Sequence, residues 1–278
     1  MRLVQQTTTG APTILDLFTL EEIERDVYRA NTVFDDPFPL YGGQVAAQAL
    51  RAAGLTVPEG RPPHSLHGYY LRGGNSGVPT DFSVERDRDG RSYSARRVVA
   101  RQGDRVVFTM SCSFSVVEDG PDVDAAEALE VPDPTTLPPA PMPRLFSMEG
   151  SLPPAPYPGS EWPTRFWARC TAELPAVHKD PLIHACVLTY LSDISTGLAP
   201  YHDETSASGS SLDHAIWFHR PIPLDGWVLM DLVPHSVARG RGFYHGMIRT
   251  ADGTLGATIA QEALFRPRGS SVFHQPRS

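Results

Sequence analysis

Only three of the 278 residues are cysteines, Cys112, Cys170 and Cys186, and no two of them form a CxxC pair. A disulfide framework and a structural zinc site are excluded as organising features, and an odd, scattered set of thiols points to a reducing, cytoplasmic setting. Cations are also scarce: 24 Lys and Arg stand against 32 Asp and Glu, a formal net charge of −8 that leaves no footprint for a phosphate backbone, so nucleic acid is not an expected partner. No run reaches the roughly 20 apolar residues of a membrane span, and the opening MRLVQQTTTGAPT lacks the apolar stretch of an export signal. GxSxG, HExxH, Walker A and GxGxxG patterns are all missing. Chemistry without metal or cofactor, or simple binding, is what remains.

Proline is abundant but unevenly spread, with 12 of the 27 prolines between Gly120 and Pro163. The start of that segment is acidic and holds no Lys or Arg, the composition of a solvated linker. It separates two blocks of ordinary domain size, and the expected division is a repeat over 15–118, a linker over 119–163 and a second repeat over 164–268.

The blocks resemble each other. GGQVAAQALRAA, from Gly42 to Ala53, has apolar residues at helical spacing; in the second block, Asp180 as N-cap and Pro181 at the first helical position open LIHACVLTYL, apolar nearly all round. WFHRP in the second block answers YYLRG in the first, and each block ends in two alternating strands joined by a Gly-containing turn. An offset of 151 sets Tyr93 on Tyr244, Phe108 on Ile259, Phe114 on Phe265 and Met110 on Gln261. One antiparallel sheet wrapping one buried helix, made twice, is the α+β arrangement this implies. A further helix is expected near Thr19, where Thr19 and Glu22 make a capping box and Leu20, Ile23 and Val27 an apolar stripe.

The candidate functional residues are polar ones where the pattern asks for apolar ones. Gln261 shares a strand face with Leu255, Ala257, Ile259, Ala263 and Phe265. A buried amide must find partners or cost about 1–3 kcal/mol, so Gln261 is either a satisfied core residue or part of a site. Asp193 ends the apolar helix in LTYLSD, at the negative end of the macrodipole, where a carboxylate needs another reason to be; it is either a cap for the next turn or a general base. Ser211 enters the strand SLDHAIWFHRP on the face of Asp213, Ala215 and Trp217, and spacing alone gives it no base. Asp213 and His214, being adjacent in a strand, point to opposite faces and cannot work as an acid/imidazole pair, and His64 and His67, also on opposite faces, are poor candidates for a shared metal. Gly42 and Gly43 open a helix, where free amides can hold an oxyanion, or serve close packing.

FPLYGGQVAAQAL, HSLHGYYLRGG, DGRSYSARRVVA, SLDHAIWFHRP and AQEALFR together, in this order from about Leu15 to Arg268, resemble the acyl-CoA thioesterase II family. The resemblance implies two fused hotdog repeats and cofactor-free hydrolysis of fatty acyl-CoA. It implies a catalytic Asp193, Ser211 and Gln261 that hold and activate a water, with Ser210 or Ser208 as alternative hydroxyls. Gly42, Gly43 and His64 are the residues expected to reach the substrate from the first repeat. Ala263 and Gly73 stand where the family has Gly and Pro. Fused hotdogs tend to assemble, so a homo-oligomer is expected. The competing readings are a non-catalytic acyl-CoA-binding protein and another hotdog enzyme such as a hydratase.

Overall fold

Two helices lie back to back, antiparallel, inside one continuous antiparallel sheet. The computed structural model describes residues 11–269 apart from 35, 37, 126–128, 141, 143 and 144; the opening residues read above for an export signal lie largely outside them. The first half holds a one-turn helix α1 (Ile14–Leu17), β1 (Glu21–Glu24), β2 (Val27–Ala30), α2 (Gly42–Leu55), β3 (Pro63–Tyr70), β4 (Thr80–Asp89), β5 (Tyr93–Gln102) and β6 (Arg105–Ser115). The second holds β7 (Pro139–Ala140), β8 (Met148–Ser151), β9 (Arg165–Cys170), α3 (Pro181–Ser192), β10 (Ser206–Ser211), β11 (Asp213–Phe218), β12 (Val228–Ala238), β13 (Arg241–Thr250) and β14 (Leu255–Pro267). Strand order runs β1-β2-β4-β5-β6-β3 and then β11-β14-β13-β12-β9-β8-β7, so the halves meet where β3 pairs with β11, Leu66 opposite Ile216 and Gly68 opposite His214. The order reads alike from the seam outward in both directions, which is the expected tandem repeat.

α2 packs on α3 because its facing residues are small. Ala46, Ala47, Ala49, Ala52 and Ala53 are buried, a Cβ on Gly43 would overlap the Tyr190 carbonyl oxygen, and one on Gly54 would overlap Leu182. Those two contacts, at opposite ends, set the helices antiparallel. α3 starts as its sequence predicts, with Pro181 in the first turn and Asp180 Oδ1 accepting from the Ile183 amide at 3.1 Å.

Three expectations are corrected. No helix starts at Thr19: the stretch that follows is the β1–β2 hairpin, turned at Asp26 with φ 61°, and β2 is held to β4 by a two-pronged Arg29–Asp81 pair. The capping box lies earlier, at Thr13 and Asp16, so tertiary pairing overrides the local helix signal. The segment expected as linker supplies β7 and β8, which extend the sheet beyond β9. The internal offset is also different. Both terminal hairpins shift register at the same place, between Ala100 and Arg101 and between Ile248 and Arg249. Counting from there, the cross-strand pair Tyr244–Gln261 matches Arg96–Cys112, not a pair containing Met110.

Arg96 fills the first half's version of the site. It is fully buried, and its guanidinium donates to Thr56 Oγ1 at 2.7 Å, to the Thr56 carbonyl at 3.0 Å and to Asp89 at 2.8 Å, Thr56 being the residue that caps α2 as Asp193 caps α3.

Candidate active site

At the end of α3 the chain turns sharply, with Ser195 at φ 60°, and leaves Asp193 buried under β14 and the β10–β11 edge. Its Oδ1 accepts from Ser211 Oγ at 2.8 Å, from Gln261 Nε2 at 2.7 Å and from Ser195 Oγ at 3.4 Å. Gln261 Nε2 also stands 2.6 Å from Ser211 Oγ and 3.0 Å from Ser195 Oγ, so the four side chains form one knot. Burial pushes the Asp193 carboxyl above its usual value, opposed by His214 and by the bonds from Ser211, Gln261 and Ser195.

Ser211 reaches this knot because the strand slips. Ser211 pairs with Ala263, whereas Ala215 pairs with Ala260, so one extra residue is inserted between them. That bulge turns Ser211 to the inner face and corrects the alternation that grouped it with Asp213 and Trp217. Ser208 is engaged elsewhere, its Oγ 2.8 Å from His202 Nε2.

The other side of the carboxylate belongs to the first half. A Cβ on Gly42 would overlap Asp193 Oδ2 and touch the Tyr70 ring, so the first turn of α2 presses its amide end against the carboxylate. The positive end of α2 thereby offsets the unfavourable end of α3. The Tyr70 and Tyr244 hydroxyls are both buried at the knot, Tyr70 on the side of Asp193 and Tyr244 on the side of Ser195. Burial, with the Asp193 charge, holds both phenols well above their usual range, so they remain donors.

These groups open onto a cavity of about 540 Å³. Gly42, Tyr70, Asp193 and Ser211 mark its polar wall; Val45, Val107, Met142, Leu145 and Phe166 are among its apolar lining. His64 is not among the lining residues: its Nε2 is bonded to Ser113 Oγ at 2.8 Å and its ring stands edge-on to Tyr93. The expectation that it reaches the substrate is therefore corrected; it lies on a strand face that leads away from the cavity. Among the described residues no cluster of three or more His, Cys, Asp and Glu has the geometry to hold a metal ion.

Sequence reasoning does not single out Ser195, Ser192 or Tyr70, and it sets aside a further member of the network, His214. His214, fully buried, has Nδ1 2.6 Å from Gln261 Oε1 and Nε2 2.7 Å from Ser192 Oγ. Asp213, as expected, points away and accepts from the Glu262 amide at 2.7 Å. The alternation that singles out Gln261 applies equally to His214, which shares its face with buried Ile216.

A model described as the acyl-CoA thioesterase N-terminal domain matches residues 35–115, and one described as the acyl-CoA thioesterase C-terminal domain matches residues 118–265. The chain belongs to the acyl-CoA thioesterase family. Within that family, it is 34% identical to acyl-CoA thioesterase 2 of Haemophilus influenzae, over 91% of this chain and 96% of the relative. Human acyl-coenzyme A thioesterase 8 is 30% identical, with 91% and 88% covered. Among solved structures, an acyl-CoA thioesterase II from Mycobacterium marinum superposes with a TM-score of 0.77 at 35% identity, covering 92% of this chain and 98% of that one. A hot dog fold protein from Alicyclobacillus acidocaldarius, 17% identical, gives a TM-score of 0.74 over 91% and 97% of the two chains, which speaks to the fold alone. This acyl-CoA thioesterase is thus a tandem hotdog.

Proposed function

We propose that this chain hydrolyses acyl-CoA thioesters to free acid and coenzyme A, with Asp193 as the base that activates water. The observation that carries the reading is the buried carboxylate whose Oδ1 is bound by Ser211 and Gln261 while Oδ2 faces the first turn of α2 and the cavity. With Oδ1 occupied, Oδ2 is free to take a proton from water as its oxygen attacks the thioester carbonyl carbon. The negative charge that develops on the carbonyl oxygen is met by the amide of Gly42 at the open first turn of α2; Gly43, expected beside it, is packed against Tyr190 and outside the cavity lining. Collapse expels the thiolate, which takes the proton from Asp193, and the acid leaves. The apolar lining suits an acyl chain, and a volume of about 540 Å³ lies in the ordinary range for small-molecule sites.

This reading includes a first repeat over 15–118, a second that takes in β7 and β8, a cytoplasmic location and assembly into a homo-oligomer. It is tested by following thiol release from a panel of acyl-CoA thioesters of graded chain length. Tight binding of the panel without release would replace it with a binding role.

A further inference from the structure

We propose that His214 is a positioning residue: the hydrogen it carries on Nδ1 fixes which way the Gln261 amide points, so that N–H and not C=O faces Asp193. This rests on the reading of Asp193 as the base.

A glutamine amide has two ends of similar shape and opposite polarity. An ionised Asp193 accepts only, so Gln261 must present Nε2 to it, as the 2.7 Å contact requires. Oε1 is then committed to the other side, 2.6 Å from His214 Nδ1, and two acceptors cannot meet there; Nδ1 must carry a hydrogen. The ring has one further nitrogen, 2.7 Å from Ser192 Oγ. Burial pushes the His214 pKa down against the pull of the Asp193 and Asp213 carboxylates, so the ring is neutral and Nε2 is an acceptor. Ser192 therefore donates to the imidazole in place of the Thr189 carbonyl, 3.0 Å away. The donors run in one direction, Ser192 to His214 to Gln261 to Asp193. Ser192, His214 and Gln261 are fully buried and Asp193 nearly so, leaving no solvent to satisfy an amide turned the wrong way.

The same groups are also all paired in the opposite direction, on one condition. If Asp193 is protonated, its O–H donates to Gln261 Oε1, Nε2 donates to His214 Nδ1, His214 Nε2–H donates to Ser192, and Ser192 returns to Thr189. In this exchange Asp193 gains a proton from solvent, the imidazole gives up its hydrogen at Nδ1 and regains one at Nε2, and the amide and hydroxyl rotate. The charge state of Asp193 and the tautomer of His214 are thus linked. The other groups around the carboxylate are the Tyr70 and Tyr244 hydroxyls and Ser195 and Ser211, all neutral, and among the described residues the further charge named on the pair is Asp213.

The test is ¹⁵N NMR of the intact protein with labelled histidine, assigned by comparison with His214→Asn. The expected result is the Nδ1–H tautomer while Asp193 is ionised, passing to Nε2–H as pH falls through the Asp193 titration. An Nε2–H tautomer above that titration overturns the inference, and so does a tautomer that ignores it. Because this reading needs no substrate, it stands or falls separately from thioester hydrolysis. Kinetics supply the second arm. His214→Leu frees the amide to turn, and kcat should fall by about tenfold or more at unchanged KM, with the acid limb of the rate profile moved to higher pH. His214→Asn, which keeps an N–H near the place of Nδ1, should bring the acid limb back. A Leu variant with the wild-type acid limb, or an Asn variant no better than Leu, overturns it; should the Leu variant not fold, the NMR titration decides.

Discussion

Under the proposed mechanism Asp193 trades stability for chemistry. Its raised carboxyl pKa means that the folded state binds more protons than the unfolded chain between the ordinary value of 3.8 and the raised one, so folding stability falls as pH rises through that window. Asp193→Asn removes the buried charge and should raise the melting temperature at neutral pH, a gain that fades below the ordinary carboxyl value. The same variant should lose roughly 10²- to 10⁴-fold in kcat. A thermal melt at two pH values, beside thiol release, reads both. Wild-type activity should decline on the acid side as Asp193 takes up its proton, with the midpoint above 3.8. Gln261→Met should lower both kcat and stability, the latter by about 1–3 kcal/mol, because His214 Nδ1 then loses its acceptor in a dry core. Gln261 and Asp193 are legible in the sequence because each is a polar residue that interrupts an apolar pattern. His214 interrupts the same pattern, but its neighbour Asp213 draws the eye along the strand, whereas its true partner lies across the sheet.

Among the elements, α2 and the β10–β11 junction decide whether the site closes. Helix propensity favours alanine over glycine by about 1 kcal/mol, so Gly42→Ala should leave the melting temperature close to wild type. The new methyl group would nevertheless overlap Asp193 Oδ2, and turnover should fall by about tenfold or more with the fold intact; circular dichroism and thiol release separate the two effects. Both long helices and the strands β3, β5, β6, β11, β13 and β14 follow from periodicity and caps, since their signals are local. The bulge before Ala215 does not: nothing in SLDHA distinguishes a regular strand from one with an extra residue, and only the pairing partners on β14 reveal it. The β1–β2 hairpin is hidden for a related reason, its Arg29–Asp81 pair lying far beyond any local window.

Across the whole molecule, the site is split. Gly42 and Tyr70 come from one half, Asp193, Ser211 and Gln261 from the other, and the seam between β3 and β11 joins them. The second half produced alone should release no thiol even where it stays in solution, because it lacks the α2 amides and exposes α3. Turnover at the full rate by that half as a monomer would show that the first half contributes no chemistry. The filled counterpart in the first half has a further consequence, one of stoichiometry. Thr56 caps α2 as Asp193 caps α3, Cys112 takes the place of Gln261 in the matching strand pair, and the buried Arg96 guanidinium is bonded to Thr56. Under the proposed mechanism two copies of one scaffold yield one reactive centre, and titration with a tight-binding, non-hydrolysable acyl-CoA analogue should saturate at one equivalent per chain. The silent copy is then held to what it lends its neighbour, the α2 start, Tyr70, its share of the cavity wall and the β3 seam, while its own centre stays closed.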